Sequence, residues 1–213
     1  MRYSTYLFDF DGTLVDSMPS FVSTMKRILD ENGIAYGNDL VKTITPLGYI
    51  GTAKHFISLG LDMPLEEILA AMQRYILKAY LEEIPAKPYV IETLRTLRER
   101  GADLHILTAS PHIALDPCLR RLGLWDMFEN VWSCDDFGTT KADPEIYKKA
   151  AERIGRPIEE ILFLDDNYNA DLTAKKAGMA TCGVYDASSA EFEADMRKMT
   201  DFYIRDFRKL LEI

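Results

Sequence analysis

Short apolar segments with strand character alternate with amphipathic helical segments along most of this sequence. Strand patterns occupy residues 4–10, 102–107, 130–133, 161–164 and 180–185. Helical patterns lie between or after them, at 90–100, 112–122, 144–154, 171–177 and 205–213. Strands separated by helices form a parallel sheet that helices cover on both faces. The sequence therefore predicts an α/β protein with a Rossmann-like parallel sheet.

One long segment after the first strand has no strand pattern. Within residues 17–84, apolar side chains recur at helical spacing, first near Met18–Leu29 and again near Leu65–Ala79. Pro85-Ala86-Lys87-Pro88 ends this segment, and the alternation of strands and helices begins after it. We therefore predict an α/β core formed by 1–16 and 85–213, with an inserted α-helical domain at 17–84.

Charge and cysteine spacing exclude several classes of protein. The formal net charge is −9, which disfavours non-specific binding to nucleic acid or to anionic membranes. Cys118, Cys134 and Cys182 are far apart, which is typical of buried thiols in a reducing compartment. No apolar run approaches the roughly 18 residues that span a bilayer. Asp9 and Asp11 stand where a signal peptide would need its apolar central segment. We predict a cytoplasmic protein, either a monomer or a weak homo-oligomer.

Polar side chains follow three of the predicted strands, and a lysine lies in the loop between the strands at 130–133 and 161–164. These residues are Asp9 and Asp11, Thr108 and Ser110, Asp165 and Asp166, and Lys141. Because parallel strands end at the same edge of a sheet, we expect these side chains to lie close together. Carboxylates from two strands suit Mg²⁺, which takes one or two of them with water and substrate phosphate. The sequence thus predicts a magnesium site and a small phosphorylated substrate.

The remaining groups suit a phosphoryl group. Thr108 offers a hydroxyl, Lys141 a positive charge, and Gly12 lets backbone N–H groups come close. Stabilising the charge on the transferring phosphoryl oxygens is most of what such catalysis requires. An ionised Asp9 can attack phosphorus and form an aspartyl-phosphate. Asp11 can protonate the leaving oxygen and later deprotonate water.

Four short motifs occur along the chain. They are Asp9-Phe10-Asp11-Gly12-Thr13-Leu14-Val15-Asp16-Ser17, then Leu107-Thr108-Ala109-Ser110, then Lys141-Ala142-Asp143-Pro144, and finally Phe163-Leu164-Asp165-Asp166 with Ala177-Gly178-Met179. In content and order they resemble the motifs of haloacid dehalogenase-like hydrolases, and most of all the phosphoglycolate phosphatase-like branch. The resemblance covers nearly the whole chain. It implies that 17–84 is a mobile cap domain that closes on the substrate.

The resemblance also implies roles for individual residues. Asp9 is expected to be the nucleophile and Asp11 the general acid and base. Asp9, the backbone carbonyl of Asp11, and Asp166 are expected to hold Mg²⁺. The residues expected to bind the substrate phosphate are Gly12, Thr108, Ala109, Ser110 and Lys141.

The chain departs from the family pattern at one position. The family often has a second Asp or Asn four residues after the position of Asp166, where this chain has Ala170. Asp171 is next to that position, and Asp165 precedes Asp166. Both are therefore further candidates for supporting the metal.

The presence of Asp11 favours an oxygen leaving group, because the dehalogenating members of the family have no acid at this position. We predict a Mg²⁺-dependent phosphatase, a phosphoric monoester hydrolase acting through an aspartyl-phosphate. A sugar phosphomutase of the β-phosphoglucomutase type and a phosphonate hydrolase are alternatives with the same site. A receiver-like phospho-accepting signalling module is the alternative that is not an enzyme. Receiver domains are about half as long and have no inserted domain, so the enzyme is preferred.

Overall fold

Six parallel strands form one sheet in the computed structural model, which describes residues 2–44 and 47–213. The strands are β1 (Thr5–Phe8), β2 (Asp103–Thr108), β3 (Asn130–Ser133), β4 (Ile161–Asp165), β5 (Ala180–Val184) and β6 (Phe202–Ile204). β1 and β4 are buried along their whole length, as expected for central strands covered on both faces. The predicted fold class, an α/β protein with a Rossmann-like parallel sheet, is confirmed.

Helices fill the connections between the strands. Four of them lie between β1 and the segment that leads to β2: α1 (Met18–Glu31), α2 (Leu40–Ile44), α3 (Gly48–Ser58) and α4 (Leu65–Glu82). The others alternate with the strands: α5 (Val90–Glu99), α6 (His112–Arg121), α7 (Glu145–Ile154), α8 (Tyr168–Ala177) and α9 (Glu193–Met199). In α5, for example, Val90, Leu94 and Leu97 are buried at helical spacing, so the amphipathic pattern matches the buried face.

The order of the strands places a crevice between β1 and β4. The order across the sheet is β3-β2-β1-β4-β5-β6. Successive strands are therefore added on the outer side of β1 as far as β3, and on the outer side of β4 as far as β6. At such a switch point the loops after the two strands diverge, and open α/β sheets bind their ligands there. The functional site is therefore expected beyond the carboxyl ends of β1 and β4.

The chain divides into two compact units. One comprises Met1–Asp16 with Pro85–Ile213, and the other is Ser17–Ile84. The second unit contains α1 to α4 and has its own apolar core, in which Met25, Leu29, Phe56, Ile68 and Met72 are buried. Three residues of the predicted ranges 1–16 and 17–84, namely Met1, Thr45 and Pro46, lie outside the described residues.

Two predicted helices differ from the observed ones. α8 begins before residue 171 because the Asn167 side chain accepts hydrogen bonds from the N–H groups of Asn169 and Ala170. The prediction of a helix at 205–213 is wrong, since β6 lies before it and Phe207–Glu212 forms 3₁₀ turns. Among the helices that the structure describes, none is both long and apolar enough to cross a membrane.

Candidate active site

The register of the sheet brings Asp9 and Asp165 side by side. Phe8 of β1 pairs with Leu164 of β4, so the residues that follow them lie level at the carboxyl edge. The Asp9 N–H donates a hydrogen bond of 2.8 Å to the Leu164 carbonyl, which fixes this alignment. Asp166 follows directly, and all three aspartates are buried. Their carboxylate oxygens lie within 4.8 Å of one another, and we call these three residues the acidic cluster.

Lys141 lies between two members of the acidic cluster. Its Nζ donates hydrogen bonds to Asp9 Oδ1 and, at 2.7 Å, to Asp165 Oδ2. Burial by itself would lower the pKa of Lys141, but the charges of Asp165 and Asp9 raise it well above its usual value. Lys141 is therefore a fixed ammonium group. The buried Tyr147 hydroxyl lies 3.1 Å from the Lys141 carbonyl and helps to position this loop.

The loop after β1 packs directly against Asp166. Gly12 has a φ of +76°, and a Cβ at this position would lie 2.6 Å from the carboxyl carbon of Asp166, so only glycine fits. The Thr13 hydroxyl donates a hydrogen bond of 3.4 Å to Asp166 Oδ1. Burial raises the pKa of Asp166 well above its usual value, and the charges of Asp165 and Asp9 add to this effect.

Asp11 is outside the acidic cluster, and its side chain lies beside the loop after β2. The Ser110 hydroxyl donates a hydrogen bond to Asp11 Oδ2. The Ser110 N–H in turn donates to Thr108 Oγ1 at 3.1 Å, which fixes the turn that ends β2. Thr108 is buried and Ala109 is exposed. The structure thus brings Asp11 together with the predicted phosphate-binding residues rather than with Asp165 and Asp166.

Asp171 does not join the acidic cluster. It lies within α8, where it is fully buried, and neither carboxylate oxygen has a hydrogen-bond partner among the described residues. Burial raises the pKa of Asp171 well above its usual value, and the charge of Asp165 adds to the shift. The adjacent Ala170 is buried as well, and its carbonyl lies 3.1 Å from the Tyr147 hydroxyl. Of the two further metal candidates, the structure places Asp165 in the cluster and leaves Asp171 apart from it.

Sequence reasoning missed Lys87, which contacts the loop after β1. Its Nζ donates hydrogen bonds to the carbonyls of Gly12 and Tyr185, both at 2.6 Å, and to Asp186 Oδ2 at 3.0 Å. Nothing in the sequence marks Lys87 as part of a site, because it lies between prolines at the end of the inserted segment. Its role becomes visible only when the fold brings the loops after β1 and β5 together.

The donor set fits a hard divalent cation. The carboxyl groups of Asp9, Asp165, Asp166 and Asp171 are all buried, and the Lys141 ammonium contacts two of them. Buried carboxylates in such numbers require protons or cations to balance their charge. Three of these carboxyl groups are close enough to share one ion. Oxygen ligands of this kind are those that Mg²⁺ prefers.

Comparison with known proteins gives the family. Residues 3–178 match the family model described as haloacid dehalogenase-like hydrolase. The chain belongs to the haloacid dehalogenase-like hydrolase family. The resemblance of the four motifs to this family is confirmed. The prediction that the chain is a phosphoric monoester hydrolase is confirmed as well.

Several relatives resemble this hydrolase over most of its length. Phosphoglycolate phosphatase of Agrobacterium fabrum is 28% identical over 200 residues, which cover 89% of this chain and 85% of the relative. Pyrophosphatase PpaX of Bacillus velezensis is 28% identical over 184 residues, which cover 86% and 83%. YfnB from Bacillus subtilis, whose crystal structure is bound to magnesium, aligns with a TM-score of 0.83 at 19% identity and covers 100% of this chain and 98% of that one. This last likeness shows the shared fold.

Proposed function

We propose that this hydrolase is a Mg²⁺-dependent phosphatase that hydrolyses a small phosphomonoester through an aspartyl-phosphate on Asp9. The observation that carries the proposal is the buried acidic cluster at the switch point of the sheet, with the Lys141 ammonium bound to both Asp9 and Asp165. The relatives named as phosphoglycolate phosphatase and pyrophosphatase support the transfer of a phosphoryl group to water.

In this proposal Asp9, Asp166 and the backbone carbonyl of Asp11 hold Mg²⁺. Asp165 is held by Lys141 and supports the cluster from one side. When bound, Mg²⁺ supplies positive charge that stabilises the developing charge on phosphoryl oxygens. Asp171 is assigned no direct contact with the ion, since it lies outside the cluster.

The first step is the attack of Asp9 on phosphorus. A bond forms between an Asp9 carboxylate oxygen and phosphorus while the bond from phosphorus to the ester oxygen breaks. Asp11 donates its proton to that leaving oxygen, which departs as an alcohol. The ammonium of Lys141 donates a hydrogen bond to Asp9 Oδ1 and so holds the nucleophile in place before attack.

The second step is hydrolysis of the aspartyl-phosphate. Asp11, now ionised, removes a proton from water as the water oxygen attacks phosphorus. The bond between Asp9 and phosphorus breaks, which restores the carboxylate and releases inorganic phosphate. We assign Thr108, Lys141 and the Ala109 N–H to the phosphoryl oxygens in both steps, with the loop at Gly12 beside them. The N–H groups of Gly12 and Ser110 already donate to the Val15 carbonyl and to Thr108 Oγ1, so these two residues shape the loops that surround the phosphoryl group.

We further propose that the helical unit 17–84 is the cap domain and that it selects the substrate. A cap that closes over the site excludes water from competing reactions and completes the binding surface. The relatives make phosphoglycolate and pyrophosphate the first compounds to test, followed by sugar phosphates and nucleotides. All are small phosphorylated metabolites, which is the substrate class proposed here.

The test is a phosphate-release assay on the purified chain with this panel, with and without Mg²⁺. We expect Mg²⁺-dependent release of inorganic phosphate from at least one compound. The nearly isosteric Asp9→Asn variant should lose this turnover, because an amide is not a nucleophile toward phosphorus. Asp135→Asn is the matched control, since Asp135 follows β3 but is exposed, and it should retain wild-type activity.

Three outcomes would contradict the proposal. Ordinary activity in Asp9→Asn would remove Asp9 as the nucleophile. Conversion of a sugar phosphate to its isomer without phosphate release would indicate a phosphomutase instead. Stoichiometric phosphorylation without turnover would indicate a receiver-like module, although the family match favours an enzyme.

A further inference from the structure

We propose that Lys87 is a positioning residue that fixes the phosphate-binding loop after β1 through the carbonyl of Gly12. The inference rests on the proposed function, which places this loop beside the phosphoryl oxygens. Lys87 touches neither the acidic cluster nor Lys141 among the contacts of the described residues. It acts instead on the backbone of the loop that carries Asp11 and Thr13.

All three N–H groups of the Lys87 ammonium donate hydrogen bonds, to acceptors in the loops after β1 and β5. Two of its hydrogen bonds go to backbone carbonyls, those of Gly12 and Tyr185, and the third goes to the Asp186 carboxylate. The side chains of Lys87 and Asp186 are 16% and 5% exposed, so the pair is largely shielded from water. Charge-assisted hydrogen bonds in such surroundings hold their geometry better than exposed ones. A single ammonium group thus ties the loop after β1 to the loop after β5.

The backbone of Lys87 is anchored to the same loop. The Lys87 N–H donates to the Leu14 carbonyl at 2.9 Å, and the Asp16 N–H donates to the Pro85 carbonyl at 3.0 Å. Between these bonds, Val15 and Ala86 form an antiparallel bridge. The ammonium therefore reaches Gly12 from a backbone that is itself held in place, which limits the directions available to the side chain.

Fixing the Gly12 carbonyl also fixes the next N–H group. In a trans peptide the C=O and the following N–H point in opposite directions, so the orientation of the Gly12 carbonyl sets that of the Thr13 N–H. Within residues 2–44 and 47–213, this N–H donates to no other residue. Asp166 also packs against Gly12, since its carboxyl carbon lies 2.6 Å from the position that a Cβ would take. The bond from Lys87 therefore holds the peptide between Gly12 and Thr13 in one orientation.

The experiment compares Lys87→Met with Asp186→Asn and with the double variant. Lys87→Met removes the bond to Gly12 but leaves the Asp186 carboxylate buried without its cation, so its melting temperature should fall. The double variant removes that uncompensated charge and should recover part of the loss in melting temperature. Asp186→Asn alone keeps the bond to Gly12. Lys87→Arg keeps the charge and should restore part of the function.

We expect kcat to fall at least about tenfold in both variants that lack Lys87, since small misplacements of positioning groups have effects of this size or larger. KM should change less than about threefold, and Asp186→Asn should keep a kcat within about twofold of wild type. All assays are run well below the lowest melting temperature. If the double variant recovers wild-type kcat along with its stability, Lys87 has only a structural role and the proposal is wrong.

Amide hydrogen exchange measured by NMR gives a readout that does not depend on activity. Without added ligand, exchange of the Leu14 N–H, which donates to the Phe10 carbonyl within this loop, should become faster in Lys87→Met and in the double variant, but not in Asp186→Asn. Unchanged exchange in all three would overturn the role of Lys87 even if the phosphatase assay succeeds. Failure of every phosphomonoester in the assay would overturn the proposed function, and the exchange result would still decide whether Lys87 fixes the loop.

Discussion

The buried charge of Lys141 matters for the stability of the fold and for the proposed reaction, and the two effects can be measured separately. Its side chain is 14% exposed and contacts Asp9 and Asp165, which are 7% and 1% exposed. Without the ammonium, two neighbouring carboxylates would remain buried and would repel each other. The residue therefore matters both for the free energy of folding and for the proposed contact with the phosphoryl group.

Lys141→Met should lower both stability and activity. Breaking a buried ion pair from one side costs about 3–5 kcal/mol of unfolding free energy, which urea denaturation without Mg²⁺ would measure. Loss of a charged contact to the phosphoryl group should lower kcat by about 10²-fold or more. Mg²⁺ should raise the stability of the variant more than that of the wild type, because the cluster has gained negative charge.

Lys148→Met, which breaks an exposed pair with Glu145, is the control and should change stability by less than about 1 kcal/mol. A variant as active as the wild type would remove Lys141 from the site.

Single residues differ in how far the sequence reveals them. Asp9 and Asp165 could be predicted because strand register alone places residues at strand ends beside one another. Lys141 lies in a loop and was predicted from the motif that contains it. The distance of Asp171 from the acidic cluster could not be predicted, since it depends on where α8 begins and hence on the Asn167 cap. Lys87 escaped prediction because its partners come from loops far along the chain.

At the scale of elements, α6 is attached to the segment after β3 by one histidine. His112 is the first residue of α6, and its Nδ1 lies 2.7 Å from Asp116 Oδ1. Its Nε2 lies 2.8 Å from Asp136 Oδ2, and Asp136 also accepts from the Ser133 N–H. Hydrogen bonds with Asp116 and then Asp136 raise the pKa of His112. Both ring nitrogens can donate at the same time only in the protonated form.

His112→Gln should therefore destabilise the protein in a pH-dependent manner. A histidine whose pKa is raised on folding adds stability below its unfolded pKa of about 6.5, and this stability is lost as pH rises through the folded pKa. The difference in unfolding free energy between wild type and variant should be largest near pH 5 to 6 and smallest at pH 9. We expect at most about 1 kcal/mol, because the side chain is 40% exposed.

Urea denaturation across this pH range measures the effect. The control is His55→Gln, in the helical unit, since His55 forms no ion pair within the part of the chain that the structure describes. A destabilisation by His112→Gln that is equal at pH 5.5 and pH 9 would show that the contact acts through packing instead of charge.

Elements with a clear apolar pattern were predictable, and β6 was not. The strands β1, β2, β4 and β5 carry apolar runs, and α1, α5 and α7 carry clear amphipathic periodicity, so the period of the pattern located them. β6 has only three residues, two of them partly exposed, and its partner on the sheet is β5 alone. A segment of this length gives no periodicity to read. Phe202, Tyr203 and Ile204 are all residue types that favour strands, but only the pairing with β5 shows that these three form one.

At the scale of the whole molecule, the two units have separate apolar cores. One core is built on β1 and β4 with α7 and α8, and includes Leu7, Tyr147 and Phe163. The other contains only residues of the helical unit, such as Leu29 and Phe56. A unit with its own core can fold as a domain when its ends are close together. The acidic cluster, Lys141 and Lys87 all belong to the larger unit.

Removing the helical unit should therefore leave a folded core. Asp16 and Pro85 are joined by a backbone hydrogen bond of 3.0 Å, so a short Gly-Ser linker can replace residues 17–84 without straining either end. We expect the shortened chain to unfold in one cooperative transition with a lower m-value, because less surface becomes exposed. Mg²⁺ should still raise its melting temperature, since every proposed ligand is retained. Circular dichroism measures the transition and its m-value in urea, and the melting temperature on heating with and without Mg²⁺. Phe56→Ala in the full chain is the matched control, as it opens a cavity in the helical unit alone and should leave the response to Mg²⁺ unchanged. Loss of the cooperative transition in the shortened chain would show that the larger unit depends on the helical one for its fold.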